Sequence, residues 1–118
     1  MALDKLDKLG LRDFAGRPAT KLSIGERKRA SIVAALSTSP ELLLLDEPTA
    51  ELDGRSARQL ADLLAQLAVT TIVTSHHLDF LRTITCRTLV LSKGRIIADG
   101  PTPDILANQT LLQAADLI

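Results

Sequence analysis

The chain has no tryptophan, no tyrosine and only two phenylalanines in 118 residues, so the flat rings on which nucleic-acid bases stack are missing. It has no excess of either charge: fourteen basic residues balance fourteen acidic ones, and no basic field exists to draw a polyanion. Together these exclude direct nucleic-acid binding. A single cysteine, Cys86, rules out an internal disulfide and sits at no metal-ligand spacing. Apolar runs such as Leu42-Leu43-Leu44-Leu45 fall far short of the roughly 20 residues of a membrane-spanning helix. The opening MALDKLDKLG alternates charge with leucine and has no signal-peptide core, so the chain is expected to stay in the cytoplasm.

What is present is an alternation of helical and strand patterns over a length suited to one small domain. Residues 2–9 set Leu3, Leu6 and Leu9 on one helical face, with Gly10 as a stop, and GRPATK at 16–21 reads as a loop. Ser23-Ile24-Gly25-Glu26 fits the Ser-x-x-Glu capping box and predicts a helix over about 24–37. Residues 42–45 are a continuous apolar run between breakers, read as a strand buried on both faces. A second helix over about 54–68 carries Leu60, Leu63, Leu64 and Leu67 on one side, and TTIVT at 70–74 is the next strand. Strand, helix and strand make one βαβ unit with parallel strands. Residues 88–91 and 95–98 flank Ser92-Lys93-Gly94 as a hairpin, and Thr102-Pro103-Asp104 reads as a helix cap.

The strongest chemical signal is Asp46-Glu47, two adjacent acids where the apolar strand ends, at the edge where open α/β sheets bind ligands. Alternation along the strand is expected to point them differently. Asp46 then suits Mg²⁺, a hard cation that prefers oxygen and retains waters, and Glu47 suits activation of a water. Taken alone, the pair could also merely cap the turn that Pro48 and Thr49 begin. The glycine and small residue of Leu22-Ser23-Ile24-Gly25-Glu26 deliver a helix N-terminus, an anion site through its free amides and dipole, although a lone box is also an ordinary cap.

Order and spacing decide between these readings. LSIGE, LLLLDEPTAELD and TSHH follow one another as in the ABC ATPase family, which the chain resembles from about residue 12 onward. The resemblance implies an α/β fold, part of the P-loop NTPase-like ABC ATPase architecture with a parallel sheet flanked by helices. Residues 1–39 would then end the helical subdomain, and 40–118 would form the C-terminal part of the catalytic core and tail. Leu22, Ser23, Gly25 and Glu26 correspond to the signature that reads the terminal phosphate of an ATP on the opposite subunit. By the same resemblance, Asp46 corresponds to the Mg²⁺-associated position, Glu47 to the general base and His76 to the switch histidine. Asp53 closes the loop that contacts the partner across the dimer. Asp46, Glu47 and His76 are expected to converge at one rim of the sheet.

The tail LVLSKGRIIADGPTPDIL resembles transporter ATPases, and with DEPTAELD looks most like the energy-coupling subunits of cobalt, nickel or vitamin importers. The implied cofactors and partners are ATP with Mg²⁺, transmembrane transporter subunits, and a second ATPase subunit or a complementing N-terminal half. The implied location is the inner face of the cell membrane. Three residues depart from the pattern: Ile24 stands where glycine is usual, Glu26 replaces glutamine, and His77 follows the switch histidine in place of an acid. No Gly-x-x-x-x-Gly-Lys-Ser/Thr occurs; Gly10 and Gly16 come nearest, and Arg17-Pro18 follows them. The resemblance therefore leaves two roles open: an ATPase portion that is inactive alone, or a catalytically silent binding module. Exposed strand edges and marginal stability are expected in either case.

Overall fold

The computed structural model describes residues 22–118, which form nine elements in two compact units divided between Ser75 and His76. The amphipathic segment at 2–9 and the loop at 16–21 lie outside the described residues.

In the first unit, α1 (Ile24–Leu36) opens on the predicted box and buries Ile32 and Val33. β1 (Leu42–Asp46) leads into α2 (Gly54–Ala65), whose Ala57, Leu60, Ala61 and Leu64 fall at helical spacing and are all buried. β2 (Thr70–Thr74) returns parallel to β1, in a register that runs from Leu42 opposite Thr70 to Asp46 opposite Thr74. The βαβ unit is therefore present as read. Its helix stops three residues before the predicted end, and Leu67 lies beyond it, half-buried.

β1 is not buried on both faces, which corrects the sequence reading. Leu43 is 4% exposed, but Leu42 and Leu44 on the opposite face are 45% and 67% exposed, and the register sets Ile72 (56%) beside Leu44. A continuous apolar run signals two covered faces only when both layers are present. Among the described residues this sheet has two strands, and one of its faces remains bare.

The second unit begins with α3 (Leu78–Ile84), which buries Phe80 and Leu81. The hairpin follows as β3 (Arg87–Ser92) and β4 (Arg95–Pro101), antiparallel, with an irregularity in the register between Val90 and Leu91. Its two-residue turn holds Lys93 at φ 50° and Gly94 at φ 77°, the doubly left-handed geometry that matches strand twist. α4 (Thr102–Ala107) and α5 (Gln109–Ala114) pack Ile105, Leu106 and Leu112 with Val90 into this unit's core.

Thr102 is not the cap of α4. Pro101 holds that position, and Thr102 turns inward at 1% exposure, its hydroxyl 2.9 Å from that of Thr85 and 2.8 Å from that of Thr88. The Thr102 amide also donates to the Cys86 carbonyl at 3.0 Å. Burying a hydroxyl without partners is costly, so three threonines satisfying one another knit α3, β3 and α4 at a single polar point.

Candidate functional site

Two places in the first unit carry the chemistry the sequence points to. One is the head of α1. Ser23 is the N-cap, its Oγ accepting the Glu26 amide at 3.2 Å while Glu26 Oε1 accepts the Ser23 amide at 3.1 Å. These are the two reciprocal bonds of the box. The amides of Ile24 and Gly25, also in the first turn, have no acceptor within the helix. Leu22 precedes the cap, half-buried, and Ile24 is 40% exposed.

The head of α1 meets the head of α2. A Cβ on Gly25 would lie 3.5 Å from Ser56 Cβ and Oγ and 3.8 Å from Leu52, ordinary contact distances, so glycine is not required here for packing. Asp53 caps α2, its Oδ1 accepting the Ser56 amide at 2.7 Å. That bond, with a further contribution from the Ser56 side chain and the charges of Arg55 and Arg58, holds the Asp53 carboxyl below its ordinary value. Between α1 and the loop that leads into α2 lies a shallow, open cleft of about 330 Å³ lined by Ile24, Arg27, Lys28, Ser31 and Glu51. Arg27 and Lys28, which follow the capping box, thus border a cleft.

The other place is the carboxyl end of the strand pair. Asp46 is the last residue of β1 and is exposed; Glu47 is half-buried. Glu47 lies outside the strand at φ 47°, so its direction is set by a left-handed turn rather than by strand alternation. Pro48 and Thr49 beyond it are buried, and Ala50 donates back to the Glu47 carbonyl at 3.1 Å. The chain turns at Glu47, and two carboxylates stand where the sheet ends.

Thr74, which the sequence reading passed over, ties them. Its Oγ1 donates to Asp46 Oδ1 at 2.5 Å, and the Glu47 amide donates to the Thr74 carbonyl at 2.9 Å and to Thr74 Oγ1 at 3.2 Å. The signal was available, since parallel strands of equal length set their last residues, Asp46 and Thr74, side by side. His76 opens the second unit, exposed, two residues beyond β2. His77 precedes α3 and stacks on Phe80, ring centres 6.5 Å apart.

Among the described residues no group of three or more His, Cys, Asp or Glu gathers as a metal cage. Mg²⁺ does not need one: it is held by one or two carboxylates plus substrate phosphates and keeps several waters. An exposed, oxygen-only donor at a sheet end fits that ion, and Asp46 is such a donor.

Parallel strands joined through a helix, carboxylates at their carboxyl end and a capped helix head define a nucleotide-handling class of α/β protein. The family described as ABC transporter matches residues 2–50. A putative ABC transporter ATP-binding protein of Streptomyces avermitilis is 44% identical over 109 residues, covering 92% of this chain and 42% of its own length. The nickel import ATP-binding protein NikO of Rhodobacter capsulatus is 40% identical over 117 residues, covering 94% of the chain and 46% of its own. The solved structure of cbiO1 from Clostridium perfringens, part of the ABC transporter complex cbiONQ, superposes with a TM-score of 0.83 at 29% identity, over 98% of this chain and 48% of that one. Over nearly its whole length the chain is similar to the ATP-binding proteins of ABC transporters, and it spans a little under half the length of these relatives. No helix among the described residues is long and apolar enough to cross a membrane.

Proposed function

We propose that the chain is the signature-bearing portion of an ATP-hydrolysing transporter subunit, coupling hydrolysis to import of a small solute such as a metal ion or vitamin. It acts at the inner face of the cell membrane with transmembrane subunits. A second ATPase subunit or a complementing N-terminal half supplies the lysine loop that this sequence does not contain. The observation that carries the reading is the Asp46-Glu47 pair at the carboxyl end of parallel strands, bound across to Thr74. Likeness to the nickel import ATP-binding protein supports a metal ion as cargo, with cobalt or nickel the leading choices.

In this reading Glu47 is the general base. It takes a proton from a water that attacks the terminal phosphorus of ATP, while the bond to the bridging oxygen breaks and ADP leaves. Asp46 holds Mg²⁺, which when bound neutralises charge on the phosphate oxygens. His76 donates a hydrogen bond to the terminal phosphate and holds the attack geometry. At the head of α1, Leu22, Ser23, Gly25 and Glu26 shape the surface that meets the phosphate of an ATP held by the opposite subunit. The amides of Ile24 and Gly25 are donors for that phosphate. Asp53 fixes the start of α2 beside that surface.

The test is ATP hydrolysis by the chain alone and mixed with the N-terminal half of a full-length relative. The expected result is turnover only in the mixture, abolished by Glu47→Gln. No turnover in either case overturns the ATPase reading and leaves a silent binding module.

A further inference from the structure

We propose that Thr74 is a positioning residue for the metal-associated carboxylate and for the turn that carries the base. The proposal rests on the reading of Asp46 as the Mg²⁺-associated acid and goes beyond it. An aspartate at the end of an exposed strand has two free rotations, and nothing in the strand itself holds its carboxylate in one direction. Here one oxygen, Oδ1, accepts the Thr74 hydroxyl at 2.5 Å. That leaves Oδ2 and the remaining lone pair of Oδ1 for an incoming cation, and fixes the plane in which they lie. An oxygen ligand oriented by a hydrogen bond from outside the coordination sphere binds its metal more tightly than one that must be ordered on binding.

The same hydroxyl acts on the second acid. Thr74 Oγ1 has one hydrogen, donated to Asp46, and its lone pair accepts the Glu47 amide at 3.2 Å while the Thr74 carbonyl accepts that amide at 2.9 Å. Glu47 is held at φ 47°, a conformation that a non-glycine residue keeps only when its surroundings enforce it. One threonine therefore links the direction of the first carboxylate to the turn that launches the second. Valine at this position matches threonine in shape and strand preference but offers neither bond. Serine retains both.

Mn²⁺ serves as a paramagnetic stand-in for Mg²⁺ in a carbon-detected NMR titration of the full chain. The carboxylate signal of Asp46 is followed against that of the exposed Asp104. In the unaltered chain the Asp46 signal is expected to broaden at lower Mn²⁺ than Asp104. In Thr74→Val the Mn²⁺ needed rises by about tenfold, the usual effect of losing an outer hydrogen bond to a metal ligand. Thr74→Ser stays within about twofold of the unaltered chain. Thr74→Ala, which also removes the hydroxyl, serves as a second variant should valine disturb folding, and melting curves accompany each variant.

If Asp46 of the unaltered chain broadens no earlier than Asp104, the metal reading of Asp46 falls and this proposal with it. If Asp46 is selective and the valine and alanine variants behave like the unaltered chain, the positioning role alone is overturned. A serine variant as impaired as valine also overturns it, because the hydroxyl is then not the cause.

Discussion

Ser23 and Glu26 satisfy one another at the head of α1, each side chain accepting the other's main-chain amide, at 3.2 Å and 3.1 Å. The acid that departs from the usual glutamine is thereby engaged as a cap. Glutamine serves the same box. Glu26→Gln is therefore expected to leave stability unchanged in urea melts, whereas Ser23→Ala loses about 1 kcal/mol. In the complemented ATPase, removing a negative charge beside a phosphate should make Glu26→Gln bind ATP more tightly. Weaker nucleotide binding by that variant would show that the carboxylate has a direct role there.

Gly25 separates stability from function. A methyl group at this position meets Ser56 and Leu52 at ordinary contact distance, so Gly25→Ala should stabilise the chain by about 0.5 kcal/mol through the lower freedom of the unfolded state. The same methyl group stands on the surface offered to the partner's phosphate, so hydrolysis in the complemented enzyme should fall. Paired melts and turnover measurements check both halves of the prediction.

Thr102 is the polar rivet of the second unit. Thr102→Val takes a partner from the Thr88 hydroxyl and leaves that of Thr85 only its bond to the Leu81 carbonyl at 2.7 Å, and should cost about 1–2 kcal/mol, with Thr102→Ser closer to the unaltered chain. Denaturant unfolding of the three proteins decides it.

Acid should weaken the first unit through Asp53. Its carboxyl is held below the ordinary value of 3.8, first by the Ser56 amide, so the unfolded chain binds this proton more readily than the folded one. The stabilisation is complete above 3.8 and is lost as pH falls through the lower folded value. Asp53→Asn retains a cap but no titrating group. The difference in stability between the two proteins should be flat at higher pH and shrink below this point, as followed by unfolding at a series of pH values.

The bare sheet face is testable by making it polar. Leu44→Thr with Ile72→Thr replaces the two most exposed large apolar side chains on that face by residues that still favour strands. Self-association measured by sedimentation should drop, because a contiguous apolar patch has been removed. On the proposed reading, complementation by an N-terminal half should drop as well, since the face offered to it loses apolar contact.

Local patterns were readable wherever a few neighbouring residues decide the outcome. The Ser23–Glu26 box, the βαβ unit and the Lys93-Gly94 turn each follow from short-range geometry. The burial of β1 was misread because its four leucines record a covering layer that the described residues do not contain. Helix α3 was not foreseen: seven residues with Thr83 and Ile84 at its end show little helical period, and it stands by burying Phe80 and Leu81. Thr102 was read as a helix cap because a threonine before proline resembles one, and only the distant Thr85 and Thr88 explain why it turns inward instead. At the candidate site, the acids were visible as types. Their link through Thr74 appears only once the register is known.

The exposed leucine and isoleucine side chains of β1 and β2 also bear on how much of this protein a cell can hold. Hydrocarbon facing water is what chaperones grip and proteases clear, and surplus copies would clump with one another before finding a mate. On the proposed reading the supply of this polypeptide would be matched to that of the layer hiding those side chains, and overproducing it alone should yield inclusion bodies rather than more working molecules.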